Sequence, residues 1–599
     1  MSAIAKEIRA ALESELQKIP AYYTLEIEKK KKHDEDIWTL TVDVSGMREA
    51  LDESFEGATV WWAHPKKGAA DVLSVLPDRH QINLRYCTSD PPEKGRIRIY
   101  PARYLEPLVD IWKDPSWTPK SLVWIEKLNN KDIKKEEGLV LDTRHFPSLR
   151  EAQKKAFALL QWEVSYLWGP PGTGKTYTLG AFLAQYLRQF EDKRVLLLST
   201  TNNAVDHALI AVDTALDQVG TAGSVKHKCV RLGNHFIASH YENRQHLIPV
   251  RDETLIRRLV ALEKERPETE EVTKYAKWKA RVEAARGELR AQMGILIRQK
   301  RLVAMTTTRA VFTLKDLKDQ RFDLIVFDEA SQVSLAHATA LMPLSNRFLF
   351  AGDPKQLAPI VRSKTEYAKK WLGESAFTYM DTKADWTCLL NEQSRMIEPI
   401  CRLVSELFYE KKLVVAEKEN RDPKWRQERF IRSIESLKGV RHIHVVNIKT
   451  NGIWSKKYRG PIRFDSAERI QQIVIELTSK GRPESDIIVL TPFRAQRILI
   501  RKILHGIGLK KVQVSTVHRA QGSERHTVIF DPVDARRDFL NEKMNSDAPR
   551  LINVAISRAK AHLIVLLSDG DRSNRIMDQA NLIINDMPTK ILRFRIRPV

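Results

Sequence analysis

A glycine-rich segment of eight residues carries the strongest chemical signal in the sequence. It reads Gly169-Pro170-Pro171-Gly172-Thr173-Gly174-Lys175-Thr176, and it lies between an apolar run at 164–168 and a segment with helical periodicity. Glycines let backbone N–H groups approach phosphate oxygens, and the positive end of the following helix stabilises their charge. In such loops the lysine pairs with the β- and γ-phosphates, and the next hydroxyl binds magnesium. We therefore predict that Lys175 and Thr176 bind a nucleoside triphosphate with Mg²⁺.

A pair of acidic residues supplies the second half of such a site. Asp328 and Glu329 directly follow a predicted apolar strand at 322–327. In phosphoryl-transfer sites one carboxylate holds the metal, directly or through water, and another orients and deprotonates the attacking water. We predict the first role for Asp328 and the second for Glu329. Adjacent carboxylates at a strand end can also be simply solvated, but the phosphate-binding loop weakens that alternative.

Hydrolysis also requires positive charge at the phosphate that is transferred. Arg395 and Arg558, both in the second half of the chain, are the candidates. Either arginine alone is more typical of a surface position or a salt bridge. The assignment therefore depends on the segments around them.

The elements that must position these residues change in type along the chain. An amphipathic helix at about 3–18 precedes short strands of period two up to residue 100, which predict a small β-barrel. The barrel's lysines and aromatic residues are suited to gripping a nucleic-acid strand, although a barrel core with a solvated lysine tip is the favoured interpretation of any single residue. From about residue 146 strands alternate with helices, which predicts parallel sheets. Residues 252–300, dense in charges of both signs, predict an inserted helical subdomain.

The composition restricts the class of protein. The 599 residues carry a formal net charge of +23, which favours polyanionic partners because lysine and arginine release counterions from a phosphate backbone. No segment has the apolar length needed to span a bilayer, and the N-terminus lacks the apolar core of a secretion signal. The four cysteines form no close C-x-x-C pair, so neither disulfides nor a zinc site are predicted. We expect an intracellular, soluble, cytoplasmic protein that does not contact a membrane.

The motifs together resemble those of superfamily 1 helicases of subclass B, in the group that includes the nonsense-mediated-decay helicase. Besides the phosphate loop and the acidic pair (motif II), seven further segments follow the family order within residues 149–560. These are motif Ia at 199–206, motif Ic at 303–308, motif III at 352–357, the Q-Y-R-M segment at 390–396, motif IV at 491–496, motif V at 515–524 and motif VI at 553–560. An ordered series of this length is much more specific than a phosphate loop alone.

The resemblance implies an α/β fold with two RecA-like parallel-sheet domains, an N-terminal small β-barrel and an inserted helical subdomain. The barrel and the insertion correspond to the family's accessory domains 1B and 1C. The implied limits are an N-terminal helix at 1–20, the barrel at 21–110, a linker or stalk at 111–145, the first RecA-like domain at 146–212 and 300–388, the helical insertion at 213–299 and the second RecA-like domain at 389–599.

The resemblance also implies roles for individual residues. Gln153 corresponds to the glutamine that reads adenine, and Gln356 to the sensor of the γ-phosphate. Arg395 and Arg558 would reach the phosphates from the second domain. Gln521 and Glu524 would couple strand to nucleotide, with Glu524 on the ribose. The implied contacts to the strand are Thr201, Asn202 and Thr307 in the first domain, and Thr491, Pro492 and Thr516 in the second.

The sequence departs from the family pattern at two motifs. The tyrosine that stacks on adenine is Ser394 here, so adenine must be held in another way, and the histidine after the motif's methionine is Ile397. Motif VI has one extra residue between Arg550 and Asn553, which leaves Arg558 in register.

These features predict an ATP-dependent helicase or translocase that moves on single strands and separates paired ones. By analogy with the family it would move 5′ to 3′. ATP and Mg²⁺ are the expected cofactors, and single-stranded or tailed DNA or RNA is the expected partner, because backbone and stacking contacts leave no motif that separates the two polymers. An ATP-switched nucleic-acid clamp or scaffold without productive unwinding is the alternative, since it would use the same nucleotide motifs. The sequence identifies no protein partner.

Overall fold

The computed structural model of this protein describes ten stretches of the chain. They are residues 2–47, 50–64, 66–101, 103–220, 222–249, 254–290, 297–437, 439–534, 539–540 and 547–586. Parts of the predicted helical insertion (250–253 and 291–296) and the end of the predicted second RecA-like domain (587–599) lie outside the described residues. Within those ten stretches, no helix is both long and apolar enough to cross a membrane.

Six antiparallel strands form the closed barrel that the period-two segments predict. They are β1 (Tyr23–Asp34), β2 (Ile37–Asp43), β3 (Thr59–Trp62), β4 (Gly68–Leu76), β5 (Gln81–Arg85) and β6 (Gly95–Tyr100). Their order around the barrel is β1-β2-β5-β4-β3-β6. Alternate side chains such as Leu25, Ile27 and Val60 are buried in its interior, as the pleat of a strand requires.

The charged segment at 29–36, which the sequence suits to a solvated hairpin tip rich in lysine, is mostly strand. Strand β1 continues through it to Asp34 and pairs with β2 along its length. The ammonium groups of Lys30 and Lys32 lie 4.9 and 5.1 Å from the centre of the Trp38 ring on β2. Because ladder pairing and these cation–π contacts both favour extended backbone, the lysines belong to the strand and only the last two residues of the segment turn.

The segment predicted as a linker or stalk contains two helices, α2 (Glu106–Lys113) and α3 (Thr118–Asn130). Together with the N-terminal helix α1 (Ala3–Lys18), they contribute to an apolar cluster on one face of the first sheet. The indole N–H groups of Trp112 and Trp117 donate to the carbonyls of Ala336 (3.1 Å) and Ala340 (2.8 Å). These buried contacts fix the segment after the barrel to a helix that covers the first sheet.

Seven parallel strands form the first sheet, in the order β13-β7-β12-β11-β8-β10-β9. They are β7 (Val164–Trp168), β8 (Val195–Ser199), β9 (Cys229–Arg231), β10 (Leu302–Thr306), β11 (Leu324–Phe327), β12 (Phe348–Gly352) and β13 (Thr387–Leu389). Leu197 belongs to one apolar cluster, and its neighbours Leu196 and Leu198 belong to another on the opposite face. Burial on both faces explains why these strands are continuous apolar runs.

Helices connect and cover the strands of the first sheet. They are α4 (Glu151–Lys155), α5 (Lys175–Gln189), α6 (Asn202–Gln218), α7 (Ala222–Lys226), α8 (Thr254–Lys264), α9 (Val272–Arg290), α10 (Thr307–Phe312), α11 (Leu314–Leu317), α12 (Leu335–Leu341) and α13 (Glu366–Leu372). Strand β9 lies inside the range predicted for the helical insertion, yet it pairs with β10 at the edge of the sheet. Helix α9 packs on the barrel, where Glu283 pairs with Arg85 at 2.7 Å.

A second sheet has five parallel strands in the order β16-β22-β21-β19-β20. They are β16 (Ile443–Asn447), β19 (Ile487–Thr491), β20 (Gln513–Thr516), β21 (Arg525–Phe530) and β22 (Ala559–Leu567). Two further sheets have two strands each. One pairs β14 (Glu392–Gln393) with β15 (Val414–Val415), and the other pairs β17 (Ile453–Ser455) with β18 (Gly460–Ile462). The helices are α14 (Glu398–Phe408), α15 (Glu417–Arg421), α16 (Pro423–Gln427), α17 (Phe464–Ser479), α18 (Arg494–Gly506), α19 (Ala548–Ile556), α20 (Asp569–Arg572) and α21 (Arg575–Asp586). Two parallel sheets and a closed barrel confirm the predicted α/β fold class.

Candidate nucleotide and nucleic-acid site

The glycine-rich loop connects the end of β7 to the start of α5, which begins at Lys175. Gly172 and Gly174 have φ angles of 77° and 78°, in the left-handed region that glycine adopts most easily. A Cβ atom on Gly172 would lie 2.5 Å from the Cβ of Arg395. The loop therefore needs glycine both for its backbone path and for the close approach of a residue from the second half of the chain.

Lys175 and the acidic pair meet at the carboxyl end of the first sheet. The Lys175 ammonium donates hydrogen bonds to Asp328 Oδ1 and Glu329 Oε1, both at 2.8 Å. Burial raises the pKa of Asp328. Burial acts in the same direction on Glu329, but the charge of Lys175 outweighs it and lowers the pKa of that carboxyl. Glu329 is therefore ionised at neutral pH, as a general base must be.

Residues from both sheets line one cavity of about 610 Å³ around this centre. The lining includes the loop at 169–176, Asp328, Glu329, Gln356, Arg395, Glu524 and Arg558. The hydroxyl of Thr176 and the carboxylate of Asp328 are hard oxygen donors of the kind that Mg²⁺ prefers. The cavity therefore brings together the predicted phosphate-binding, metal-binding and arginine residues.

Two arginines of the second half of the chain line this cavity and give it positive charge. Arg558 Nη2 donates to Gln356 Oε1 at 3.4 Å, and Arg395 is paired with Glu524. Burial and the neighbouring charge of Arg395 lower the pKa of Arg558 to about 9. Burial would raise the pKa of Glu524, but Arg395 and Lys560 lower it to about 2. The amide of Gln521 donates to Glu329 Oε2 at 3.4 Å, so the second half of the chain also contacts the candidate base.

A buried polar network that the sequence did not indicate holds Gln356 in place. The Asp353 carboxylate accepts hydrogen bonds from Gln356 Nε2 (2.8 Å), Trp168 Nε1 (3.0 Å) and the Tyr409 hydroxyl (2.6 Å). Asn553 Nδ2 in turn donates to the Tyr409 hydroxyl at 2.8 Å. With its amide nitrogen fixed by Asp353, Gln356 presents its oxygen to Arg558. The network thus joins motif III to motif VI across the cavity.

Replacing Tyr409 with phenylalanine should lower the maximal rate of strand-stimulated ATP hydrolysis by about tenfold, since Asp353 loses a hydrogen bond worth about 1 kcal/mol and holds Gln356 less firmly. The ring still fills its space, so the KM for ATP should change little, while the melting temperature should fall slightly with the lost buried hydrogen bond. Tyr166→Phe is the matched control, because its buried hydroxyl has no hydrogen-bond partner among the described residues. Equal rates in the two variants would show that the Tyr409 hydroxyl does not position Gln356.

Gln153 lies directly beside the phosphate loop, and its contact with adenine stays a prediction. Its side chain accepts from the Arg150 backbone N–H (2.9 Å) and donates to the Thr173 carbonyl (3.0 Å), so it supports the loop directly. Ser394 donates its backbone N–H to the Gly172 carbonyl at 3.0 Å. Arg429, which the sequence did not single out, also lines the cavity. Its guanidinium lies 3.7 Å from the Trp425 ring centre and donates to the Ser394 carbonyl at 3.0 Å.

The candidate strand-binding residues lie at the carboxyl ends of strands in both sheets. Thr491 and Thr516 end the paired strands β19 and β20 and are opposite each other, and Pro492 follows directly. In the first sheet, Thr201 caps α6 after β8, and Thr307 begins α10 after β10. The side-chain oxygen of the remaining candidate, Asn202, already accepts a hydrogen bond from Arg231 at 2.7 Å. The structure therefore groups these residues at the sheet edges, and it buries the side chains of Thr307, Thr491 and Thr516.

Comparison with known proteins adds an independent observation. A family model described as an AAA domain matches residues 148–292 and 252–364. A second family model with the same description matches residues 372–570. The DNA polymerase alpha-associated DNA helicase A of Schizosaccharomyces pombe is 30% identical over 475 residues, and the DNA replication ATP-dependent helicase/nuclease DNA2 of Saccharomyces cerevisiae is 27% identical over 417 residues. The 5′-3′ DNA helicase ZGRF1 of Mus musculus is 25% identical over 429 residues.

These alignments cover 73%, 66% and 67% of this chain, respectively. They cover 66% of the fission-yeast protein, 24% of DNA2 and 21% of ZGRF1. The chain therefore spans less than two thirds of the length of each of these relatives.

Proposed function

Because this chain belongs to the superfamily 1 helicases, in the group that includes the DNA2-type and nonsense-mediated-decay enzymes, we propose that it is an ATP-driven motor on single-stranded nucleic acid. ATP hydrolysis would drive movement along one strand and displace the strand paired with it. The 5′-to-3′ direction follows the name of the ZGRF1 relative and the family analogy. The cytoplasmic location expected from the sequence stays a prediction.

The observation that supports the proposal most strongly is that residues next to both sheets line one cavity. Glu329, ionised and bonded to Lys175, would take a proton from water as that water attacks the γ-phosphate. Gln356 and Arg558 would stabilise the charge that develops on the transferred phosphate. Thr176 and Asp328 would hold Mg²⁺, which would neutralise charge on the phosphate oxygens. Each half of the chain thus contributes groups that the reaction needs.

Coupling to a strand follows from where the candidate contacts lie. Thr201 is the N-cap of α6 and also lines the nucleotide cavity, so a strand held there would touch the same helix end as the nucleotide site. Gln521 bonds to Glu329 from a segment that begins at the end of β20. A change in the distance between the sheets during hydrolysis would therefore shift the two groups of strand contacts relative to each other.

The domain limits implied by the sequence are proposed as the moving units of this motor. Separate apolar clusters support the limits of the barrel and of the two sheet domains, whereas much of the helical insertion shares a cluster with the first sheet. One fills the barrel, two cover the faces of the first sheet, and two more cover the second sheet. A domain with its own core can rotate as a unit.

ATP hydrolysis by Lys175→Ala tests the site assignment. Loss of the ammonium removes a phosphate contact and leaves the buried Asp328 and the half-buried Glu329 without their partner, so turnover should fall by at least about a hundredfold. Binding of single strands should persist. Lys193→Ala is the matched control, since this lysine pairs with Asp323 beyond the opposite end of the same sheet. Ordinary turnover in Lys175→Ala would refute the site.

A further inference from the structure

A short segment of the barrel docks on the second sheet through a cluster of charges. Between β2 and β3, Glu53 accepts hydrogen bonds from Arg497 Nη2 (2.7 Å), Arg501 Nη1 (2.7 Å) and Arg519 Nη1 (2.8 Å). Burial would raise the pKa of Glu53, but the hydrogen bonds and charge of the arginines, Arg497 foremost, lower it to about 2. One carboxylate therefore binds three guanidinium groups that lie more than 440 residues away in sequence.

The neighbouring residues hold this segment in place. Asp52 lies 3.5 Å from Arg494 and 3.6 Å from Arg497. Its carboxylate also accepts from the Ser54 N–H at 3.0 Å, which fixes the turn that carries Glu53. Ala50 is buried in an apolar cluster of the second sheet. The contact is thus a defined docking of barrel on sheet, with four arginines facing two carboxylates.

The ratio of arginines to carboxylates in this cluster differs from that in a buried ion-pair cluster of the second sheet. Arg463 contacts Asp531 and Asp571, both at 2.6 Å, and its side chain has no exposed surface. Around Glu53 three arginines share one carboxylate, and the side chains of Arg501 and Arg519 keep 44% of their surface exposed. An exposed excess of guanidinium groups is typical of a site for phosphate.

The cluster lies beside the segments that carry the candidate strand contacts. Arg494 begins α18, two residues after Pro492, and Arg519 follows Thr516 by three residues. Arg519 also lines the nucleotide cavity. A strand that contacts Thr491 and Thr516 would therefore place its phosphates within reach of these arginines.

We propose that Arg494, Arg497, Arg501 and Arg519 form a phosphate-binding site for the nucleic-acid strand, and that the Glu53 carboxylate occupies it until a strand phosphate displaces it. Strand binding then releases the barrel from the second sheet. Arg519 also lines the nucleotide cavity, so the displacement of Glu53 from Arg519 couples strand binding to the ATP site. The inference rests on the proposed function, because it takes single-stranded nucleic acid as the ligand.

Glu53→Gln tests the competition directly. The amide keeps the size of the side chain and removes the charge that competes with phosphate. Affinity for labelled oligodeoxythymidine and oligouridine of equal length, measured without nucleotide by fluorescence anisotropy, should increase by about fivefold at low salt. The slope of log affinity against log salt should become steeper by about one, because the strand phosphate then replaces free anions on the arginines and not an internal carboxylate. The two polymers show whether the site accepts DNA, RNA or both.

Two further variants separate competition from a general loosening of the fold. Glu283→Gln removes the acid of another ion pair at the barrel, the one with Arg85, and should change neither affinity nor slope. Arg501→Gln should weaken binding and make the slope shallower by about one. In the double variant Glu53→Gln/Arg501→Gln, the gain from the first change should shrink, because the two residues act on the same contact.

Unchanged affinity and slope in both Glu53→Gln and Arg501→Gln would overturn this inference, even if ATP hydrolysis by the parent protein is stimulated by a strand. Failure of the parent protein to bind either polymer would overturn it together with the proposed function. The parent measurements therefore distinguish the two failures.

Discussion

Replacing Arg558 with glutamine should lower the strand-stimulated rate of ATP hydrolysis by about 10³-fold or more. The guanidinium lies against Gln356 in the nucleotide cavity and is only 3% exposed. In such a site a fixed positive charge stabilises the transferred phosphate without reorganisation, and a neutral amide cannot replace it. The rate should be measured at saturating ATP and saturating strand, so that the loss is assigned to kcat.

The fold should tolerate this change. Arg395 is close enough to lower the pKa of Arg558, so removing one of the two charges relieves repulsion, and the melting temperature should not fall. Arg550→Gln provides the comparison within the same segment. Arg550 donates to the Pro354 carbonyl and pairs with Asp547, and its loss should change the rate only a few-fold. A loss in Arg550→Gln that matches that of Arg558→Gln would contradict the assigned roles.

Replacing Glu329 with glutamine should reduce ATP turnover by about 10²- to 10⁴-fold, the usual contribution of a general base. The amide can still accept the hydrogen bond from Lys175, but it cannot take a proton from water. ATP affinity should therefore stay close to that of the parent protein, and strand binding should persist. Glu366→Gln, at the exposed start of α13, is a control with the same chemical change outside the cavity.

Glu329 also has a backbone conformation that suits a functional residue. Its φ angle of 51° lies in the left-handed region, which costs a residue other than glycine about 1 kcal/mol. The turn carries the carboxylate away from β11 toward Lys175 and Gln521. If turnover in Glu329→Gln equalled that of the parent protein, another group would have to be the base.

The features predictable from the sequence are those encoded by local spacing. The phosphate loop, the acidic pair after an apolar strand and the period-two strands each require contacts between residues near in sequence. The structure places Lys175 2.8 Å from Asp328 although 153 residues separate them, because parallel strands bring such loops to one sheet edge. The sheet architecture thus made a long-range contact predictable.

Other features depend on contacts that have no local pattern. Tyr409 reaches Asp353 only because α14 packs beside motif III, and an isolated tyrosine after a helix carries no sign of this. The pairing of Glu53 with Arg497 requires the barrel to dock on the second sheet, which period-two patterning cannot specify. The hydrogen bond from the Gln153 amide to the Thr173 carbonyl likewise has no local sequence pattern, since 20 residues separate the two.

Strand displacement from tailed duplexes is the most direct test of the central claim, that ATP hydrolysis at this site drives movement along a single strand. The parent protein and Glu329→Gln would be compared on 5′- and 3′-tailed DNA and RNA duplexes, with ATP and Mg²⁺. We expect the parent protein to displace the strand from a 5′-tailed duplex and the variant to bind the same duplex without displacing it. Tight binding by the parent protein with neither strand-stimulated hydrolysis nor displacement from either tail would contradict the motor and indicate an ATP-switched clamp.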